Sequence, residues 1–349
     1  MNKVKVLVVD DSAFMRKAIS GMLEKDPMIE VVGTARDGEE ALEKIKALDP
    51  DVVTLDIEMP KMDGLTALRH IMMECPRPVI MVSSLTQEGA EATFKALELG
   101  AVDYIPKQLS KVSLEIVKIE KELQEKVKSV AKKKGKLKVK RKKIPEKSVD
   151  TTQFKGKVQK RDLVGIGVST GGPMAVQQVL TKLPADFPAP ILIAQHMPEA
   201  FTGPFAKRLD EICKISVKEA ENGEVVKVGV AYVARGGHHL RMVQKVSRIE
   251  LEVSKEPKDA LYKPSVNELM HSIAVGVGKR GLGVILTGMG NDGLKGIEEL
   301  KKRGGRAIAQ SEKTCVVYGM PRAIVEANLA DEVVDIGDMA EAIIRNLYL

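Results

Sequence analysis

Three residues in the C-terminal half of the chain, Ser169, His196 and Asp292, are of the types that together perform nucleophilic catalysis. A serine hydroxyl becomes an effective nucleophile when a base within hydrogen-bond reach takes its proton and a third group orients that base. Each of the three residues follows an apolar run of strand length. Because residues beyond the ends of parallel strands line one crevice, the spacing predicts a hydroxyl, an imidazole and a carboxylate at one sheet edge.

Ser169 lies in a stretch that predicts a strand, a tight turn and a helix. The apolar run Leu163–Val168 ends at Ser169, and Gly171-Gly172 is followed by Pro173, a residue favoured in the first turn of a helix. The five residues from Gly167 to Gly171 fit the pattern GxSxG, in which a turn of small residues lifts a serine hydroxyl above the strand edge. The turn is therefore a candidate nucleophile site.

The same turn is also a candidate phosphate cradle, because free N–H groups at a helix N-terminus bind anions. Gly165, Gly167 and Gly171 form GxGxxxG, which is one residue longer than the dinucleotide fingerprint. That fingerprint requires an acidic residue at the end of the next strand, where this chain has His196, and the turn lacks the Gly-Lys-Ser/Thr of a P-loop. The nucleophile interpretation is favoured.

The carboxylate would come from the loop Thr287–Gly293, in which Asp292 could accept the His196 N–H. Backbone N–H groups near Thr170 and Met289 are candidates for stabilising an oxyanion. Taken singly, the serine and the aspartate are better explained as helix caps, and the histidine could lie in the core. Taken jointly, they favour catalysis, although the order Ser, His, Asp differs from that of α/β-hydrolases. The weaker candidates for the base are His238, His239 and His271.

A second group of reactive residues lies in the N-terminal part of the chain. Asp10, Asp11, Asp56, Ser83 and Lys107 all lie at the ends of predicted strands. Three carboxylates in one place repel one another unless a hard cation shares them, and Mg²⁺ prefers such oxygen ligands. The lysine would add positive charge for a phosphoryl group. The group therefore predicts a Mg²⁺ site at which a phosphoryl group is bound.

Alternating β-rich runs and amphipathic stretches predict two α/β domains that position these residues. Residues 1–125 predict a doubly wound domain with five parallel strands, and residues 158–349 predict a Rossmann-like α/β domain. Within the second domain, the segment from Val230 to Val253 is interpreted as antiparallel hairpins inserted into a parallel core. Residues 126–157 predict a Lys-rich linker, in which twelve Lys/Arg and one Glu occur between Lys126 and Lys147.

The bulk composition narrows the class of protein. The formal net charge of +7 is concentrated in the predicted linker, and aromatic residues make up only 3% of the chain, so a solvated spacer is favoured over a nucleic-acid-binding surface. The three cysteines are far apart and form no CxxC pair. The N-terminal apolar run is too short for a signal peptide, and no stretch predicts insertion into a membrane. These features predict a cytoplasmic protein.

The N-terminal residues resemble those of a two-component receiver domain over about the first 110 positions. The resemblance implies that Asp56 accepts a phosphoryl group from a chemotaxis histidine kinase, that Asp10 and Asp11 bind Mg²⁺ together with Asp56, and that Ser83 and Lys107 contact the phosphoryl oxygens. It further implies that an aromatic residue acts as a switch. The residues that carry the resemblance are Asp10-Asp11, Asp56, Met59-Pro60, Asp63-Gly64, Ser83, Tyr104 (the switch) and Lys107.

The full chain resembles the chemotaxis protein-glutamate methylesterase family. The resemblance rests on Ser169-Thr170-Gly171-Gly172-Pro173, Gln195-His196-Met197-Pro198 and Thr287–Gly293. It implies hydrolysis of glutamate γ-methyl esters on chemoreceptor helices, deamidation of receptor glutamines, and catalytic roles for Ser169, His196 and Asp292 with no metal in this domain.

The resemblance also implies regulation, in which the unphosphorylated receiver packs against the catalytic face and phosphorylation of Asp56 relieves the block. The alternative is a non-enzymatic response regulator whose output domain binds a nucleotide or a nucleic acid. That alternative would use Gly165–Gly172 for phosphate and Lys126–Lys147 for the polyanion.

Overall fold

A computed structural model describes residues 3–107, 113–131, 134 and 158–349. The chain divides into two compact units, Met1–Lys143 and Ile144–Leu349. Among the described residues, every helix is too short or too polar to cross a membrane.

The N-terminal unit is a five-stranded parallel sheet, as the sequence predicts. Its central strands are buried along most of their length because helices cover both faces of the sheet, and this burial explains their continuous apolar runs. The elements are β1 Val4–Val9, α1 Ala13–Glu24, β2 Ile29–Ala35, α2 Gly38–Leu48, β3 Val52–Asp56, α3 Gly64–Glu74, β4 Val79–Ser83, α4 Gln87–Glu98, β5 Asp103–Pro106 and α5 Ser113–Ala131. The strands lie in the order β2-β1-β3-β4-β5 across the sheet.

Helix α5 extends beyond the predicted end of the receiver at residue 125. Lys126, Val127 and Val130 are all buried, so the first residues of the predicted linker belong to the N-terminal unit. The Lys126 ammonium lies 3.1 Å from Asp103 and 2.8 Å from Glu122, and it donates a hydrogen bond to the Tyr104 carbonyl. These partners stabilise a buried charge that the sequence pattern assigns to solvent. Most of the remaining linker, residues 135–157, lies outside the described residues.

The C-terminal unit contains a seven-stranded parallel sheet. The predicted α/β architecture is therefore present. The elements are β6 Leu163–Val168, α6 Gly172–Leu180, β7 Ile191–Gln195, α7 Glu199–Ile212, β8 Ser216–Glu219, β9 Val230–Val233, β10 His239–Gln244, β11 Ile249–Ser254, α8 Val266–Gly276, β12 Gly281–Ile285, α9 Leu294–Lys302, β13 Arg306–Gln310, α10 Met320–Glu326, β14 Glu332–Val334 and α11 Met339–Tyr348. The strands of the sheet lie in the order β14-β13-β12-β6-β7-β9-β8.

The interpretation of Val230 to Val253 as several hairpins is wrong in one respect. Only β10 and β11 form an antiparallel hairpin, whereas β9 joins the main sheet and pairs in parallel with both β7 and β8. The hairpin packs on helix α8, where the Met242 N–H donates to the Ser272 hydroxyl. A short apolar run does not reveal its pairing partner, so β9 could not be separated from the hairpin by its pattern.

The strand order explains how distant residues meet. Strand β6 is central and pairs with β7 on one side and β12 on the other. Because all three strands are parallel, the loops that follow them leave the sheet at the same edge. These loops carry Ser169, His196 and Asp292.

Candidate functional site

Backbone hydrogen bonds fix the turn that presents Ser169. The Ser169 N–H donates to the Thr287 carbonyl at 3.0 Å, and the Gly172 N–H donates to the Ser169 carbonyl at 2.8 Å. Gly171, the residue before α6, has φ +73°, a left-handed conformation that glycine adopts without strain. An added Cβ at Gly171 would lie 2.4 Å from Val316 Cγ2. The turn therefore requires glycine both for its dihedral angle and for its space.

We expect Gly171→Ala to lower the free energy of unfolding of the C-terminal unit by about 1–3 kcal/mol, because it adds both backbone strain and a steric clash. Gly337→Ala is the matched control, because a Cβ there would have no atom within 4 Å and the φ of Gly337 is not positive. Thermal unfolding followed by calorimetry measures both variants. Equal midpoints for the two variants would contradict the account of the turn.

The imidazole of His196 lies between the serine and the aspartate. Its Nδ1 is 3.1 Å from Ser169 Oγ, and its Nε2 is 2.8 Å from Asp292 Oδ2. A carboxylate can only accept a hydrogen bond, so Nε2 carries the proton and Nδ1 is left to accept the Ser169 hydroxyl. The three side chains form a continuous hydrogen-bonded row. Both His196 and Asp292 are largely buried, with side chains 10% and 4% exposed.

The Asp292 carboxylate is held by three further donors at the N-terminus of helix α8. The backbone N–H of Val266 donates to Oδ2 at 2.8 Å, the N–H of Asn267 donates to Oδ1 at 2.9 Å, and the Ser265 hydroxyl donates to Oδ1 at 3.2 Å. Burial raises the pKa of Asp292, but the His196 N–H and these backbone donors outweigh burial and hold the pKa below its ordinary value. The carboxylate is therefore kept charged beside the imidazole.

Two buried polar side chains tie the three loops together. The Gln195 amide donates to the carbonyls of Ser169 and His196, both at 3.0 Å. The Thr287 hydroxyl lies 2.9 Å from the Thr170 carbonyl and accepts the N–H groups of Val316 and Val317. These bonds fix the spacing between the ends of β6, β7 and β12.

The two candidate oxyanion residues lie beside the serine. Thr170 directly follows Ser169 and is buried. Met289 follows Gly288, where an added Cβ would be only 2.9 Å from Ser169 Cβ, so the loop after β12 passes directly against the serine. The backbone of both residues therefore passes close to Ser169.

Sequence reasoning missed Tyr262, whose ring stacks on His196 with centroids 4.2 Å apart and planes inclined by 11°. It also missed that Asp292 accepts hydrogen bonds at the N-terminus of α8, although Ser265 and Glu268 form the capping pattern S-x-x-E. The weaker histidine candidates lie elsewhere. His238 Nδ1 lies 3.1 Å from the Gly236 carbonyl, His239 is fully buried with its Nδ1 accepting the Ser265 N–H, and His271 is exposed on α8.

The receiver residues also converge. Carboxylate oxygens of Asp10, Asp11 and Asp56 lie within 4.8 Å of one another. The Lys107 ammonium is 2.7 Å from Asp56 Oδ2 and 3.1 Å from Asp10 Oδ2. The Ser83 hydroxyl, in contrast, donates to the Gly89 carbonyl at 3.1 Å. The structure therefore brings the acids and the lysine together and leaves the serine hydroxyl bonded to helix α4.

The acidic cluster has the chemistry of a Mg²⁺ site. Burial raises the pKa of Asp56 to about 6, with the Asp10 charge adding to the rise and Lys107 opposing it. The Oδ2 atoms of Asp10 and Asp56 are buried, and both face the Lys107 ammonium. Crowded carboxylate oxygens of this kind suit a hard divalent cation. Asp10, Asp11 and Asp56 fit the metal that receiver domains bind.

Tyr104 is buried on β5, 5% exposed, and the Lys126 ammonium lies 5.6 Å from the centroid of its ring. That distance lies within the range of a cation–π contact. The ring is therefore held inside the N-terminal unit by helix α5.

Comparison with known proteins supports both halves of the sequence-based resemblance. Residues 164–343 match the family model of the CheB methylesterase, and residues 6–117 match that of the response regulator receiver domain. The protein-glutamate methylesterase/protein-glutamine glutaminase 1 of Oleidesulfovibrio alaskensis is 63% identical over 99% of this chain and 100% of its own length. The protein-glutamate methylesterase/protein-glutamine glutaminase of Lawsonia intracellularis is 56% identical over 99% of each chain.

A solved structure agrees with these matches. The crystal structure of the Thermotoga maritima CheB methylesterase catalytic domain is 40% identical, with a TM-score of 0.52, and the match covers 53% of this chain and 98% of that one. The family resemblance and the fold class are thereby confirmed. The chain belongs to the CheB methylesterase family and carries a response regulator receiver domain before its catalytic domain.

Proposed function

We propose that this protein is a phosphorylation-regulated serine hydrolase that removes methyl groups from glutamate γ-methyl esters of chemoreceptors and deamidates receptor glutamines. The observation that carries the proposal is the hydrogen-bonded row from Ser169 through His196 to Asp292. The names of the full-length relatives, protein-glutamate methylesterase/protein-glutamine glutaminase, support the same substrate class. The protein acts on the cytoplasmic helices of chemoreceptors, in the cytoplasm.

The reaction begins when Ser169 Oγ attacks the ester carbonyl while His196 Nδ1 takes its proton. The tetrahedral oxyanion is stabilised by the backbone N–H groups of Thr170 and Met289, and one such donor contributes about 10²–10³ in kcat. The intermediate collapses, the C–O bond breaks, and Nδ1–H returns its proton to the departing methoxide. Water repeats the sequence on the acyl-enzyme and releases the glutamate carboxylic acid.

The same site serves the glutamine side chain. Attack on a primary amide gives the same tetrahedral oxyanion, and His196 Nδ1–H protonates the departing nitrogen, so that ammonia leaves instead of methanol. Both reactions therefore use Ser169, His196 and Asp292 in the same roles.

Methanol release from membranes that contain methyl-labelled chemoreceptors tests the proposal. We expect the chain to release labelled methanol in excess of its own amount, and to release none from receptors that were never methylated. No methanol release from labelled receptors, with the receiver phosphorylated, would contradict the assignment.

The alternative, a non-enzymatic output domain that binds a nucleotide, is not supported by the comparisons. The residue at the position of the ribose-binding acid is His196, and its ring is hydrogen-bonded to Ser169 and Asp292. A ring engaged on both sides by these partners favours catalysis over recognition of a ribose.

We further propose that the receiver regulates this activity. Asp10, Asp11 and Asp56 would hold Mg²⁺, which supplies charge neutralisation when Asp56 accepts a phosphoryl group from a chemotaxis histidine kinase. Lys107 and Ser83 would contact the phosphoryl oxygens, and Tyr104 would act as the switch residue. The Ser83 hydroxyl must then give up its hydrogen bond to the Gly89 carbonyl. Phosphorylation would therefore change a contact between β4 and helix α4.

We expect residues 150–349 alone to release methanol faster than the unphosphorylated full chain, because the receiver lowers the rate of the catalytic unit. Phosphorylation must favour the active state by several kcal/mol to reverse this effect. Full-length Asp56→Asn should remain at the low rate when a phosphodonor and Mg²⁺ are added. Equal rates for the fragment and the unphosphorylated chain would overturn the regulation and leave the esterase assignment intact.

A further inference from the structure

We propose that Tyr262 is a positioning residue that holds the His196 imidazole in the plane required for proton transfer. This inference rests on the proposed function. It concerns a side chain to which neither the sequence motifs nor the mechanism above assign a role. The observation behind it is the nearly parallel stack of the Tyr262 and His196 rings, with centroids 4.2 Å apart.

Hydrogen bonds restrict the plane of the imidazole only loosely, because they tolerate a range of angles. Ser169 and Asp292 hold the ring at two edge atoms, Nδ1 and Nε2. The χ2 torsion of histidine is broad, so its intrinsic preference does not fix the plane of the ring. A parallel neighbour at 4.2 Å does fix it, because rotation about χ2 would drive the ring edge into the Tyr262 face. The stack and the two hydrogen bonds together define the position of the proton acceptor.

The stack also favours the charged imidazole that forms when Nδ1 takes the serine proton. The face of an aromatic ring carries negative charge and attracts a cation placed above it. Nδ1 is charged only after proton transfer, so this attraction is greater in the transition state than before it. Interactions of that kind raise kcat and leave substrate binding unchanged.

The buried side chain of His239 is hydrogen-bonded to both ends of the segment that carries the tyrosine, residues 257–265. His239 Nε2 lies 3.2 Å from the Pro257 carbonyl, and its Nδ1 accepts the Ser265 N–H at 3.2 Å. Burial holds the pKa of His239 below its ordinary value, in keeping with a neutral ring that donates at one nitrogen and accepts at the other. A third bond runs from the Gly237 N–H to the Lys263 carbonyl at 3.1 Å. Tyr262 is therefore placed on a fixed segment.

The test compares Tyr262→Leu, Tyr262→Phe and the control Leu261→Ala in the full chain. Leu261 is the adjacent residue and is 71% exposed. We expect Tyr262→Leu to lower kcat for methanol release about three- to tenfold with KM changed less than about twofold, because the stacked ring stabilises the imidazole more in the transition state than in the ground state. Tyr262→Phe keeps the ring and should stay within about twofold of the wild type, as should Leu261→Ala.

A second readout is independent of receptor binding. Phenylmethanesulfonyl fluoride reacts with an activated serine, whose oxygen bonds to sulfur as fluoride leaves and the imidazole takes the proton. Tyr262→Leu should slow this reaction by about the same factor as kcat, and Tyr262→Phe should not. A rise in KM alone with unchanged sulfonylation would overturn the inference and make Tyr262 a substrate contact. An unchanged kcat in Tyr262→Leu would also overturn it, whereas wild-type activity in Ser169→Ala would instead overturn the proposed function.

Discussion

We expect the replacement of Ser169 by alanine to lower the rate of methanol release from methylated receptor membranes by about 10⁴-fold or more. The substitution removes the atom that attacks the ester, so no acyl-enzyme can form. His196 and Asp292 retain their mutual hydrogen bond but have no nucleophile to activate. The residual rate is that of direct attack by water, assisted only by binding and by the oxyanion donors.

The loss must come from chemistry and not from unfolding, and the structure separates the two. The backbone of Ser169 holds the turn through its bonds with Thr287 and Gly172, and these bonds do not involve the hydroxyl. The thermal midpoint of Ser169→Ala should therefore stay within a few degrees of the wild type. Ser247→Ala, in the exposed turn of the β10–β11 hairpin, is the matched control and should keep the full rate. Methanol release by Ser169→Ala within tenfold of the wild type would contradict the nucleophile assignment.

The sequence predicts the fold best where a single physical cause, such as burial on both faces of a sheet, produces a recognisable residue pattern. Strands such as β6 and β12 are continuous apolar runs because both faces of a parallel sheet are covered, so their positions can be predicted from residue types alone. The convergence of Ser169, His196 and Asp292 follows from the rule that parallel strands end at a common edge. Neither inference requires knowledge of which residues are in contact.

The sequence predicts less where the outcome depends on a distant partner. Lys126 lies in a basic run that indicates solvent exposure, yet it is buried because Asp103 and Glu122 pair with it. Strand β9 lies close to turn signals that suit a hairpin, yet β7 and β8 pair with it in parallel. In both places tertiary contacts overrode the local pattern.

The contacts around the imidazole show the same limit. Tyr262 and His196 are far apart in the chain, and no spacing rule relates a tyrosine to a histidine on another loop. The capping pattern at Ser265 does predict a helix N-terminus with N–H donors for an anion. It does not identify Asp292 as that anion, because only the folded chain brings Asp292 to this end of α8.

The role of Asp292 yields the second prediction of large effect. We expect Asp292→Asn to lower kcat for methanol release by about 10³–10⁴-fold. A carboxylate accepts all four of its donors, which are the His196 ring N–H, two backbone N–H groups and the Ser265 hydroxyl. An amide turns its NH₂ group toward two of these donors in either orientation. If the oxygen of the new amide accepts the Asn267 N–H, its NH₂ group faces His196 Nε2. Nε2 must then accept a hydrogen bond, so the proton moves to Nδ1, which can no longer take the serine proton.

Ser265→Ala is the matched control for this variant, because it removes one donor to Asp292 Oδ1 and leaves the contact between Asp292 and His196 intact. Ser265 also caps helix α8, so its loss should cost about 1 kcal/mol in stability. We expect its kcat to fall by no more than about tenfold, which separates the orientation of the imidazole from the anchoring of the helix. Measured kcat values for the two variants that lie within a factor of ten of each other would show that Asp292 acts as an anchor for α8 and not through the tautomer of His196.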